Sequence, residues 1–151
     1  MLRTIVPAAI AIVLLQHPAY PVDMKCSGTE PFWDAQLSDK QIIFGLADGR
    51  KVIYVAPHYR AAAGASPDFV LHVSAKRGNA SLIAFIVNEN LMVVFDKNSK
   101  SLDQDTAKAY CSDAMSDRGY PFSIHLLVDG TAYTGCCSTT ASPTVEDKAS
   151  H

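Results

Sequence analysis

Cys136 and Cys137 are neighbours in the chain, and that adjacency constrains the fold more than any other feature. They end the clearest hairpin of the sequence, residues 122–128 and 131–137 around Asp129-Gly130, a pair favoured in two-residue turns. Such a turn places Val128 opposite Thr131, Leu126 opposite Tyr133, Ile124 opposite Gly135 and Phe122 opposite Cys137. Phe122, Ile124, Leu126 and Tyr133 then share an apolar face with Cys137, while Ser123, His125, Thr134 and Cys136 share the other. Adjacent cysteines that point to opposite sides of a strand do not readily bridge each other. Each therefore seeks a partner in Cys26 or Cys111, and two connectivities stand open: Cys26–Cys136 with Cys111–Cys137, or Cys26–Cys137 with Cys111–Cys136. Either closes the chain on itself, at about 2–4 kcal/mol of stabilisation per bridge.

Bridges need an oxidising compartment, and the first residues are consistent with export. Met1-Leu2-Arg3 is a short positive start, and residues 4–15 form a nearly unbroken apolar run, too short for a comfortable bilayer span. Residues 1–19 are expected to be a signal peptide. Asp23-Met24-Lys25 before Cys26 is not the small-residue pattern of a lipoprotein site, so a soluble periplasmic protein is expected rather than a lipid-anchored one. With no C-x-x-C, zinc and thioredoxin-like readings are disfavoured.

Between the cysteines, short strand patterns follow one another at 32–37, 40–46, 50–56, 69–75, 80–87 and 91–95. Phe69, Leu71 and Val73 alternate with Val70, His72 and Ser74, the period of a half-buried strand. Asp48-Gly49 reads as a hairpin turn, Pro57 as a strand stop, and 58–67 as a small-residue loop. A short helix is expected over 106–111, capped by Asp105. About eight short strands make the fold class all-β, a small closed or partly open antiparallel β-barrel over 26–137. A closed barrel is favoured because the apolar central runs would leave adhesive edges in an open sheet. Residues 138–151, rich in Ser, Thr, Ala and charge without a period, are expected to be a disordered tail.

Thirteen basic and fifteen acidic residues, with a net charge of −2 and no long single-sign run, argue against a nucleic-acid partner. The densest polar cluster is Asp113, Ser116, Asp117 and Arg118. As a ligand loop it offers Arg118 to a carboxylate; as a structural loop its Asp and Ser bond local amides while Arg118 pairs with Glu30. Glu30 beside Pro31, Phe32 and Trp33 invites a general-acid reading, but no partner nucleophile motif accompanies it. Trp33 is a candidate binding platform, although a lone Trp is more often core. His58, His72 and His125 lack ligand spacing, so neither a metal nor any other cofactor is expected.

Gly28-Thr29-Glu30-Pro31-Phe32-Trp33, then Cys111-Ser112-Asp113-Ala114-Met115-Ser116-Asp117-Arg118-Gly119-Tyr120-Pro121, then Gly135-Cys136-Cys137 resembles a family of uncharacterised bacterial envelope proteins described as lipoproteins or membrane proteins. The resemblance spans residues 26–137. It departs from the pattern at Ala114, where Gly is expected, and in lacking a lipoprotein cysteine site. It implies an exported β-rich domain and carries no catalytic residues. The small β-barrel inhibitors of c-type lysozyme offer a fold-level analogy, without their Ser-Gly-rich inhibitory loop.

The expectation is thus a monomeric, non-catalytic periplasmic barrel that binds a small envelope ligand or a protein through Glu30, Trp33, Asp113, Ser116, Asp117 and Arg118. Inhibition of a cell-wall hydrolase is the alternative, through a protruding loop at 58–67 or 112–119. An envelope enzyme using Glu30 with Asp113 or Asp117 is a further one.

Overall fold

The computed structural model describes residues 22–65, 69–91 and 110–146. The expected signal peptide, most of the 91–95 strand and of the 106–111 helix, and residues 147–151 lie outside them. Among the described residues eleven strands follow in order: β1 Asp23–Thr29, β2 Phe32–Ser38, β3 Gln41–Leu46, β4 Lys51–Ala61, β5 Val70–Arg77, β6 Ala80–Asn88, β7 Cys111–Ser112, β8 Arg118–Tyr120, β9 Phe122–Val128, β10 Thr131–Thr139 and β11 Val145–Glu146. Eight of them close a barrel in the order β1-β10-β9-β6-β5-β4-β3-β2, and β11-β8-β7 form a small second sheet. Around the barrel each strand pairs with its sequence neighbour, apart from the excursion through β7 and β8 between β6 and β9. The meander closes where β1 pairs antiparallel with β10. Closure leaves no open barrel edge for the apolar strands to expose.

Period-two alternation decides what each strand buries. In β2, Trp33, Ala35 and Leu37 point inward and Phe32, Asp34 and Gln36 outward. Leu37, Ile42, Phe44, Tyr54, Val73, Leu82, Ile86 and Ile124 are at most 2% exposed, and with their neighbours they fill the barrel interior. Truncating one such side chain to Ala costs about 2–5 kcal/mol, because the walls of a closed barrel collapse poorly onto a void.

The last hairpin has the register its turn dictates, with Phe122 opposite Cys137 and Ile124 opposite Gly135. Asp129 (φ 49°) and Gly130 (φ 85°) both lie in the left-handed region, as a type I′ turn requires. Asp129 also ties the turn to its surroundings: its carboxylate accepts hydrogen bonds from the Tyr54 hydroxyl (3.0 Å) and the Ser81 amide (2.8 Å). Burial, together with this carboxylate, pushes the Tyr54 phenol up to about 12.

Cys26 and Cys137 are opposite each other in the β1–β10 ladder and form one disulfide. Cys111 and Cys136 form the other. Cys137 faces the core with Cys26, whereas Cys136 faces outward and is buried beneath the chain that Cys111 brings to it.

Three local expectations differ from the structure. Pro57 does not end its strand: β4 continues to Ala61 through a bulge between Val55 and His58. A bulge is where a strand tolerates a residue without an N–H; Ala56, at φ 48°, directs its amide to the Lys40 carbonyl instead. Second, β1 carries its own alternation, Met24 and Cys26 buried between exposed Asp23 and Lys25, in a stretch too polar to read as a strand. Third, residues 138–146 are not a featureless tail. β10 runs to Thr139, and Val145 and Glu146 pair with Gly119 and Arg118.

Candidate functional site

The Cys111–Cys136 bridge fastens the β7–β8 hairpin to the outer face of β10, so that this hairpin lies over the barrel wall. Its loop, residues 113–117, is built on one carboxylate. Asp113 Oδ1 accepts from the amides of Met115 (3.0 Å) and Ser116 (2.9 Å), and Asp113 also accepts from the Ser116 hydroxyl (3.0 and 2.9 Å) and the Tyr120 hydroxyl (3.1 Å). Ser112 Oγ accepts from the Ala114 amide (3.2 Å). Partial desolvation pushes the Asp113 carboxyl up, but these hydrogen bonds outweigh it and hold the group below its ordinary value. Burial, then the Asp113 carboxylate, pushes the Tyr120 phenol the other way.

The loop is therefore ordered from within, and it turns its apolar residue outward: Met115 is 68% exposed. Thr29 Oγ1 donates to the Asp113 carbonyl (3.3 Å), linking the loop to the β1–β2 turn, which contains a cis Glu30-Pro31 bond. The two sequence motifs thus meet in space. They meet through Thr29 rather than Glu30: among the described residues the one ion pair joins Arg50 to Asp48, and none joins Glu30 to Arg118.

A cleft of 440 Å³ separates the loop from the wall. Ser27, Ser123, His125 and Thr134 line its barrel side, and Glu30, Asp113 and Met115 its loop side. A second cleft of 400 Å³ lies on the other side of the hairpin, between Tyr110, Ser116, Asp117, Arg118 and Val145. The six expected site residues accordingly fall in three places. Glu30 and Asp113 border the first cleft, and Ser116, Asp117 and Arg118 border the second. Trp33 lines neither; it is 4% exposed inside the barrel.

Trp33 is held as a core residue. Its ring stacks on Phe44 (centroids 5.8 Å apart) and meets Tyr133 edge-on (6.2 Å), and its Nε1 donates to the Thr134 carbonyl (3.2 Å). Gly28 and Gly135 make room for the indole: a Cβ at Gly135 would stand 2.6 Å from Trp33 Cζ2, and one at Gly28 would meet Trp33 Nε1. The barrel-side residues of the first cleft were not grouped with the loop by sequence. The hairpin register already puts Ser123, His125 and Thr134 with Cys136, so the Cys111–Cys136 pairing is the missing link. Among the described residues no three His, Cys, Asp or Glu side chains come together to hold a metal ion.

No family model, curated protein or solved structure matches this chain.

Proposed function

We propose that this protein is an exported, non-catalytic binding module of the periplasm, and that residues 112–118 form its recognition element for an envelope protein. The observation that carries this reading is the loop itself: internally hydrogen-bonded, disulfide-fastened at its base, and displaying Met115 at its surface. A loop ordered before contact loses little entropy on binding, and an exposed flexible thioether adapts to an apolar pocket. The filled barrel interior favours a protein over a small ligand held inside. The lowered Asp113 carboxyl favours binding over catalysis, because a general acid needs the opposite shift. Inhibition of a cell-wall hydrolase is the form of this reading that Glu30 and Asp117, exposed on either side of the hairpin, favour.

A thermal-shift screen of the oxidised protein against lysozymes and peptidoglycan fragments tests it. A partner at about 100 times its Kd stabilises the fold by about 2.7 kcal/mol. The expected result is a shift with a lysozyme that Met115→Ala reduces, with about tenfold weaker binding. Shifts with peptidoglycan fragments alone, indifferent to Met115→Ala, would overturn it.

A further inference from the structure

The outer wall formed by β4, β5, β6 and β9 differs in charge from the chain as a whole. None of the fifteen acidic residues lies in those four strands, whereas Lys51, Arg60, Lys76 and Arg77 do. The same wall is apolar: Ile53, Val55, Ile83, Phe85 and Leu127 are between 37% and 60% exposed. Across it the β4 bulge interrupts the ladder. Val55 pairs with Lys76 and His58 with Ser74, so Ala56 and Pro57 together stand opposite Ala75. Small side chains and a residue without an N–H leave a cleft of 540 Å³ at this point. Val55 and Ile83 line it with exposed aliphatic surface, and the exposed His58 and Lys76 line it with nitrogen donors. Bulges of this kind commonly open a wall beside a binding site, and the volume is that of a small-molecule pocket.

We propose that this cleft binds an anionic amphiphile, an aliphatic chain ending in a carboxylate or phosphate. The chain lies against Val55 and Ile83 and the head faces Lys76 and His58. The charge pattern selects the sign of the head. Among the described residues no carboxylate pairs with Lys76. Asp129, in the β9–β10 turn, is engaged by Tyr54 and Ser81 rather than by a cation. A cationic head would meet a wall with no strand carboxylate to receive it, and an uncharged chain would leave the lysine unmatched. No residue of the 112–118 loop lines this cleft, so the two sites stand or fall separately.

The test is an amide NMR titration of the oxidised full chain with monomeric decanoate, decanol and decyltrimethylammonium, and with vesicles of anionic phospholipid. Decanoate is expected to shift the His58, Ser74, Lys76 and Ile83 resonances saturably, and to bind about tenfold or more tighter than the cationic chain. Ser74→Phe, which puts a ring into the cleft from an outward position, and Lys76→Glu are each expected to weaken decanoate about tenfold. Met115→Ala is expected to leave it unchanged. Should Ser74→Phe fail to fold, Lys76→Glu carries the comparison. Equal affinity for chains of either charge, indifference to both cleft variants, or binding to vesicles without binding to monomeric decanoate would overturn the proposal.

Discussion

Ala114 sits at φ 57°, a conformation in which an L side chain crowds its own carbonyl. It is held there because its amide is bonded to Ser112 Oγ while the next two amides converge on Asp113. Ala114→Gly relieves about 1–2 kcal/mol of left-handed strain and gives back about 0.4–1 kcal/mol through the freer unfolded chain. The expected outcome is a net stabilisation of up to about 1.6 kcal/mol, seen as a Tm rise of up to about 6 °C by calorimetry. A fall in Tm would mean that the alanine side chain makes a contact worth more than its strain. The position was legible beforehand as an Ala where the resembled motif has Gly. Partners of charged residues were not: Glu30 and Arg118 look complementary along the chain, yet Arg118 belongs to a hairpin whose placement is decided by Cys111. Long flexible side chains carry little information about what they meet.

Among elements, the hairpin of β9 and β10 was readable because its turn, its alternation and its register depend on near neighbours alone. The β7–β8 hairpin was not, since two-residue and three-residue strands have no period to detect. Its place depends on a bridge chosen from two connectivities that the hairpin register alone allows equally. That choice follows from β1, where Cys26 shares the buried face with Met24 and so meets Cys137 inside the barrel. Pro57 misleads for a related reason: a proline ends a regular strand but fits a bulge, and only the β5 partner distinguishes the two. The dependence of β7–β8 on its bridge has a measurable consequence. Cys111–Cys136 closes a segment with a separation of 25 residues, and constraining a loop of that size is worth about 3 kcal/mol. Cys111→Ala with Cys136→Ala is expected to lower stability by about 2–3 kcal/mol. It should also accelerate amide exchange at Met115 and Ser116 far more than in β9 and β10. Uniform acceleration throughout the barrel would show that the hairpin is integral to the core instead of fastened onto it.

For the whole molecule, a closed barrel could be argued from sequence because continuous apolar runs such as residues 80–87 tolerate no open edge. What could not be argued is how the wall is used. The interior is filled by side chains from all eight strands, so the clefts lie outside, where the bulge and the hairpin meet the wall. A filled barrel should also unfold as one unit, because every strand has two neighbours and no strand can leave without opening the core. Cys26–Cys137 bears on this directly. It joins the first barrel strand to the last across 111 residues, at a pair already facing each other in the ladder. The bridge therefore adds little to the folded geometry and acts mainly by restricting the unfolded chain, at about 4–5 kcal/mol for a loop of this length. Cys26→Ala with Cys137→Ala is expected to lower the stability by about that amount, less whatever the nested Cys111–Cys136 loop already restricts. It should still give a single denaturant transition, with a larger m because the freed chain exposes more surface. Equilibrium unfolding followed by Trp33 fluorescence and by far-ultraviolet dichroism checks both points. Trp33 spans β1, β2 and β10 through Gly28 and Gly135, so an early fluorescence transition would mean that β1 and β2 peel away first. In that case closure would depend on the disulfide and not on the β1–β10 ladder.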